Sequence, residues 1–387
     1  MKIGIDIRSL AEKKYSGVSE YSYNLLNNLF RIDQGNQYYL FANAYHQKTL
    51  PDFSFENVAV CYSRIPNKLL NFSLKFFKYP KLDKLVAKKF KLEKLDLFFL
   101  PNLNFVSLSD DVAKVITVHD LSFERYPKFF NFKKRLWHRL VNPRSLINSA
   151  DKIISVSLNT KNDLTALYQT DQSKIEVIYP GSRPRKELSS AELTAVKNKH
   201  HLPDKFFLYL GTLEPRKNIT GLIKSFDIYK SKYWTTALET YLVLAGSGGW
   251  LMNDILEAIN ASPNKEYIKL PGYVDAEDKA GLYQLADVFI YPSFYEGFGF
   301  PPLEAMAAGT PVIASHSSSL AEVLADSCLL ADPYNSFELA YLMNYLTTDQ
   351  ELRQDLIERG LEKVKQFSWQ KTAAEIKKLF EENANRH

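Results

Sequence analysis

The stretch over residues 287–315, DVFIYPSFYEGFGFPPLEAMAAGTPVIAS, constrains the fold of this chain more than any other. Val288-Phe289-Ile290-Tyr291 has the short, unbroken apolar pattern of a buried strand, closed by Pro292 and Ser293. A glycine-bearing loop follows, Glu296-Gly297-Phe298-Gly299-Phe300. Pro301 and Pro302 then stand where proline is tolerated, in the first turn of a helix. That helix carries Glu304 and the small residues Ala305, Ala307 and Ala308, stops at Gly309, and gives way to a strand over residues 310–314. Strand, glycine loop, helix, strand is the layout that turns loop N–H groups and a helix N-terminus toward an anion.

The theme recurs. Residues 2–7 alternate as a first strand, residues 8–18 read as a polar loop with Gly17 near its end, and residues 19–30 as a helix capped by Ser19. Residues 96–101 and 113–118 are expected strands, the second running into His119-Asp120-Leu121. Residues 151–157 give another strand, with Asn159 as N-cap of the next helix, and residues 175–178 close the first half. A linker is expected over residues 179–185. The second half restarts with a strand at 206–211, then Glu214-Pro215-Arg216-Lys217-Asn218 and a helix over 219–229. Residues 241–246 and 268–274 are further strands, and 371–382 a last helix. Each half can therefore form a doubly wound parallel α/β sheet.

A chain of 387 residues is long enough for two such domains. Its two cysteines, Cys61 and Cys328, lie far apart without metal-ligand spacing, which points to a reducing cytoplasm. The N-terminus lacks the apolar core of a signal peptide, and no apolar run approaches the ~20 residues a spanning helix needs. Charge is uneven. Residues 61–145 hold 18 Lys and Arg against 7 Asp and Glu, whereas residues 181–387 hold 22 against 27. In the basic part the cations alternate with Phe, Leu and Trp, as in NFSLKFFK at 71–78 and FFNFKKRLW at 129–137. Such a surface suits an anionic lipid, and equally a solvated face around an apolar stripe. No nucleic-acid motif accompanies the charge.

Glu296 and Glu304, eight positions apart, would as an isolated pair be no more than favourable charges near a helix start. Together with the glycines, aromatics and prolines, and on through AMAAGTPVIAS, they resemble the E-x7-E motif of retaining glycosyltransferases with the GT-B fold, in glycosyltransferase family 4. Glu214 to Asn218 resembles the E-x-R-K-N segment of that family, and His119-Asp120-Leu121 resembles the segment whose histidine reaches the donor sugar. The resemblance covers nearly the whole chain and is weakest over residues 42–95. Family members usually carry two adjacent glycines where this chain has Ser16-Gly17.

The resemblance implies a GT-B fold of two Rossmann-like domains facing a central cleft. An acceptor-side domain would span 1–180, with the terminal helix at 368–387 packing back on it, and a nucleotide-sugar domain 181–367. It implies a retaining, metal-independent hexosyltransferase of cell-surface polysaccharide synthesis, needing no cofactor. GDP-mannose is the first expected donor and a UDP-hexose the second. Arg216 and Lys217 would hold the diphosphate, Arg suiting bidentate contacts and Lys a point charge. Loop amides of Gly297, Phe298, Gly299 and Phe300 would hold sugar or phosphate oxygens. Glu304 would bind the ribose and Glu296 the donor sugar. Tyr273 and Val274 would meet the base with backbone groups and Lys279 with its side chain. Gly17 would admit the donor and His119 act at the reaction centre, Asp120 being a positioning partner. The expected acceptor is a saccharide or lipid-linked saccharide, met in the cytoplasm or at the inner membrane face. An epimerase or phosphorylase of the same fold, or a non-catalytic partner subunit, is the alternative.

Overall fold

The computed structural model describes residues 1–11, 17–43, 50–183, 185–233, 235, 239–249 and 252–384. The chain divides into two compact units. One comprises Met1–Glu124, Phe132–Gly181 and Phe367–His387, the other Arg125–Asn131 and Ser182–Gln366.

In the first unit seven strands pair in parallel: β1 (Lys2–Asp6), β2 (Gln37–Asn43), β3 (Val58–Ser63), β4 (Leu97–Leu100), β5 (Ala113–Val118), β6 (Lys152–Ser155) and β7 (Ile175–Val177). Their order is β3-β2-β1-β4-β5-β6-β7. Parallel strands buried on both faces read as continuous apolar runs, as all four residues of β4 do. The helix Trp369–Ala384 packs on this unit. Phe380 meets Phe99 of β4 with ring centroids 5.2 Å apart, and the Thr372 hydroxyl donates to the Tyr179 carbonyl at 2.8 Å.

Six parallel strands form the second sheet: β8 (Phe206–Leu210), β9 (Tyr241–Ala245), β10 (Ile268–Gly272), β11 (Val288–Tyr291), β12 (Val312–Ser315) and β13 (Leu329–Ala331). They lie in the order β10-β9-β8-β11-β12-β13. In each sheet strand order reverses once, between β1 and β4 and between β8 and β11. Chains leaving neighbouring strands there diverge to opposite faces and open a crevice at the carboxyl ends, the place where open α/β sheets receive ligands.

Two expected helix starts move. The first helix runs Gly17–Ile32, two residues earlier than its apolar spacing suggested. The Ser19 hydroxyl, expected as its cap, instead donates to the Ser9 carbonyl at 2.9 Å. The helix Leu158–Tyr168 is capped by Ser157, whose hydroxyl accepts from the Thr160 N–H, and not by Asn159. The expected loop over residues 8–18 opens with a short 3-10 helix, Arg8–Ala11; Ser16 lies outside the described residues.

Candidate functional site

The second unit gathers charge at its strand-order reversal. After β8 the chain turns through Gly211 into a single 3-10 turn, Pro215–Lys217, closed by Asn218 in the left-handed region at φ 57°. The Asn218 side chain donates to the Pro333 carbonyl at 2.6 Å and fixes the turn. Lys217 thereby enters the space at the end of β11. Its ammonium donates to the Tyr291 hydroxyl at 2.7 Å and to Glu296 Oε1 at 2.5 Å. Arg216 reaches the other oxygen, Nη1 to Glu296 Oε2 at 3.3 Å, and also donates to the Tyr295 carbonyl at 3.0 Å. Its Nη2 lies 3.0 Å from Glu214 Oε1. Glu214, Lys217 and Glu296 are all buried.

Burial would raise the Glu296 carboxyl, but Lys217 and Arg216 outweigh it and hold the group below its ordinary value. Burial pushes the Lys217 ammonium down, Arg216 adds to that, and Glu296 and Glu214 oppose it. The backbone of Glu296 is held as well. Its N–H donates to the Ser318 hydroxyl at 2.8 Å, and its carbonyl accepts from Ser319 at 3.0 Å. Ser318 adopts φ 54°, an uncommon conformation for a residue with a side chain.

Beyond Glu296 the loop reaches Gly299 at φ 100°, where a Cβ would stand 2.5 Å from a Leu320 methyl. The helix Phe300–Ala307 starts there, with prolines at its second and third positions. Proline has no N–H, so two of the four donors a helix start ordinarily presents are missing. The amides of Gly299 and Phe300 remain. Glu304, one turn in, accepts from the Tyr283 hydroxyl at 3.0 Å and lies 3.6 Å from Arg183 Nε. Its partners thus differ from those of Glu296.

β10 ends on Gly272 at φ 81°, whose carbonyl accepts from the Gly246 N–H at 2.7 Å. Tyr273 is half exposed, Val274 is buried, and Lys279 opens the helix Lys279–Leu285. Gly246, at φ 135°, could carry no side chain, because a Cβ would meet the Gly211 carbonyl oxygen at 1.9 Å.

His119 and Gly17 belong to the first unit. His119 follows β5, with Nε2 2.9 Å from the Pro101 carbonyl at the end of β4 and its ring edge-on to Tyr21 at 4.6 Å. Enclosure pushes its pKa down, so a neutral imidazole is favoured. Asp120 accepts from the Ser122 N–H at 2.9 Å and the Ser122 hydroxyl at 2.6 Å, just before the short helix Ser122–Arg125. Gly17 is exposed, with nothing within 4 Å of where a Cβ would be.

The sequence reading gave no role to Tyr291, Tyr283, Arg183, Ser318 or Glu214. Tyr291 read only as a strand residue. Its hydroxyl becomes a partner of Lys217 because β8 and β11 are neighbours in the sheet. Among the described residues no three or more His, Cys, Asp or Glu side chains gather as a metal set. The arrangement places two cations, ion-paired to Glu214 and Glu296, and oriented amides at one strand-order reversal, groups that can orient an anion.

The family model described as "Glycosyl transferases group 1" matches residues 191–363 and the one described as "Glycosyltransferase Family 4" matches residues 15–185. The O-antigen chain mannosyltransferase B of Escherichia coli is 34% identical over 261 residues, 66% of this chain and 67% of that protein. The serotype-specific mannosyltransferase WbdA of Escherichia coli is 28% identical over 67% of this chain, which spans only 32% of that longer protein. Among solved structures, a sucrose-phosphate synthase from Thermosynechococcus elongatus superposes with TM-score 0.74 at 20% identity, covering 98% of each chain. A glycosyltransferase from Rickettsia africae gives TM-score 0.71 at 17% identity over 98% of each chain. These likenesses establish the GT-B fold with its two Rossmann-like sheets. The chain is a glycosyltransferase, a member of the group 1 and family 4 glycosyltransferases.

Proposed function

We propose that the chain transfers a mannosyl group, with retention of configuration, from GDP-mannose to a saccharide or lipid-linked saccharide in surface polysaccharide synthesis. The observation that carries this reading is the buried Lys217–Glu296 pair at the β8–β11 reversal, with the half-buried Arg216 on the other carboxylate oxygen. The similarity to O-antigen chain mannosyltransferase B supports mannose as the sugar.

In this reading departure of the diphosphate is the demanding event. Arg216 and Lys217 neutralise the leaving charge where water is scarce, and the Gly299 and Phe300 amides add oriented dipoles. Two of the three ammonium protons of Lys217 are committed to Tyr291 and Glu296, so the third is the one for a phosphate oxygen. Glu296 faces the donor sugar, with Gly297 and Phe298 beside it. Glu304 takes the ribose hydroxyls, and Tyr273, Val274 and Lys279 meet the base. The parts of His119 and Gly17 rest on the family resemblance alone. The chemistry needs no cofactor or metal, and the basic aromatic part of the first unit meets an anionic membrane surface at the inner leaflet. Among the described residues no helix is long and apolar enough to cross a membrane.

The test is a screen of nucleotide sugars for consumption with a mannan-oligosaccharide acceptor, followed by NMR of the product anomer. An α-linked mannoside made from GDP-mannose supports the reading. Consumption of a UDP-hexose alone, or a β-linked product, overturns it.

A further inference from the structure

A second candidate site lies in the first unit. A cavity of about 410 Å³ opens there, edged by Lys75, Lys78, Lys81 and Lys114 and walled by Phe105, Val141 and Leu146 among others. Asp110 is the carboxylate of this lining, 3.9 Å from Lys114, and the Lys81 ammonium donates to the Leu108 carbonyl at 2.8 Å. The Lys78 carbonyl accepts from the Ser107 hydroxyl at 2.6 Å, but among the described residues no hydrogen bond or ion pair engages the ammonium of Lys75 or Lys78. The lining therefore combines cations with neutral polar side chains such as Asn104, Ser107, Asn142 and Ser145 and with apolar ones, and the cavity's size falls in the range of small-molecule sites.

Its surroundings are unusual for a surface facing water. The helix Asn67–Phe76 buries Leu70 and Leu74 and turns Phe72 and Phe76 outward, 55% and 60% exposed. Phe77 and Tyr79 continue the patch at 70% and 68% exposure, and the Phe72 ring lies 4.8 Å from that of Phe76. On the other side the helix Phe132–Val141 buries only Val141 and exposes Phe132 and Leu136. Its Trp137 meets the cavity residue Phe105 edge-on at 6.1 Å. A contiguous apolar patch of this kind marks a partner surface. A second copy of the chain fits poorly, because a self-complementary contact would set these lysines against their own kind.

We propose that this cavity receives the phosphate head of an anionic membrane lipid, with Lys75 and Lys78 as its principal cations. The exposed aromatics on either side enter the acyl boundary. The inference deepens the membrane reading given under the proposed function and rests on it.

The experiment is co-sedimentation of the full chain with phosphatidylglycerol and phosphatidylcholine vesicles at about 0.1 M salt, where screening is already strong. The double variant Lys75→Gln/Lys78→Gln is compared with Lys68→Gln/Lys84→Gln, which removes the same charge from exposed positions outside the cavity. Thermal melts confirm that each is folded. The expected result is binding to phosphatidylglycerol that falls by about tenfold or more in the first variant and by less than about threefold in the second. Equal losses in both would overturn the cavity and leave general membrane attraction standing. Full displacement by millimolar glycerol phosphate would make it a site for a soluble phosphate and overturn the lipid. If the unmodified chain binds neither vesicle, the membrane reading falls and this inference with it. Calorimetry with GDP tests the donor reading independently.

Discussion

Lys217 and Glu296 stand 79 positions apart in the chain and meet at 2.5 Å, buried, across the reversal of strand order between β8 and β11. The pair is tied down on both sides. Tyr291 holds the lysine, and Arg216 with the Ser318 hydroxyl holds the glutamate. Breaking a buried pair leaves an uncompensated charge, so each half depends on the other.

In the proposed function Lys217 is the cation for the departing diphosphate, and replacing it with Ala removes that charge. We expect kcat/KM to fall by about 10²–10³, chiefly through kcat, as when one donor to a developing charge is lost. Steady-state kinetics with the true donor measures this. A change confined to KM would remove Lys217 from the transition state.

Glu304 has its own partners, Tyr283 and Arg183, so its loss acts on a different step. For Glu304→Ala we expect donor affinity to drop by about tenfold with kcat reduced less, the cost of roughly one charge-assisted hydrogen bond. Tyr283→Phe, which keeps the carboxylate, should cost less. Calorimetric titration with the nucleoside diphosphate decides. Equal affinity in wild type and Glu304→Ala would sink the ribose assignment.

Acidification should expose the Glu296 pair. The folded-state pKa of Glu296 lies below its ordinary 4.5, so its contribution is fully present above that value. It is lost as pH falls through the lower, folded-state value. Urea melts between about pH 5 and pH 3 should show this loss, and the loss should be smaller in Glu296→Gln. An identical pH slope in both proteins would show that the pair does not couple to folding.

His119 should resist protonation. Its folded-state pKa is depressed from 6.5 by enclosure, so the imidazole stays neutral at pH 6.5 and the stability it lends declines as pH falls below that value. The carbon chemical shift of its ring, followed by NMR from pH 7.5 to pH 5, should lag an exposed histidine. A midpoint at or above 6.5 would contradict the enclosure.

Gly299 and Gly17 should behave oppositely. At Gly299 the backbone is left-handed and a Cβ would meet Leu320 at 2.5 Å, so Gly299→Ala should cost about 1–3 kcal/mol. Gly17 has open space, and Gly17→Ala should stay within about 0.5 kcal/mol. Denaturant midpoints compare them directly.

Much of this protein could be read without its structure. Val288 to Tyr291 is an uninterrupted apolar run, as expected of a parallel strand covered on both faces, and Ala113 to Val118 is largely apolar; both form strands over those residues. Pro301 and Pro302 announced a helix start, since proline fits there and not further in. The Glu296–Glu304 spacing and the Arg216-Lys217 step pointed to the family. Helix starts were legible less sharply. Ser19 and Asn159 have the chemistry of a cap, but Ser19 found a better partner in the Ser9 carbonyl, and Ser157 took the cap position ahead of Asn159.

Which of those residues touch was decided by the sheet. Local pattern depends on the few neighbours within a turn or a strand, and so the elements were written in the sequence. Strand order depends on packing between segments scores of residues apart, and it alone made β11 the neighbour of β8. That adjacency gave Tyr291 to Lys217 and left the two glutamates of one motif with separate sets of partners.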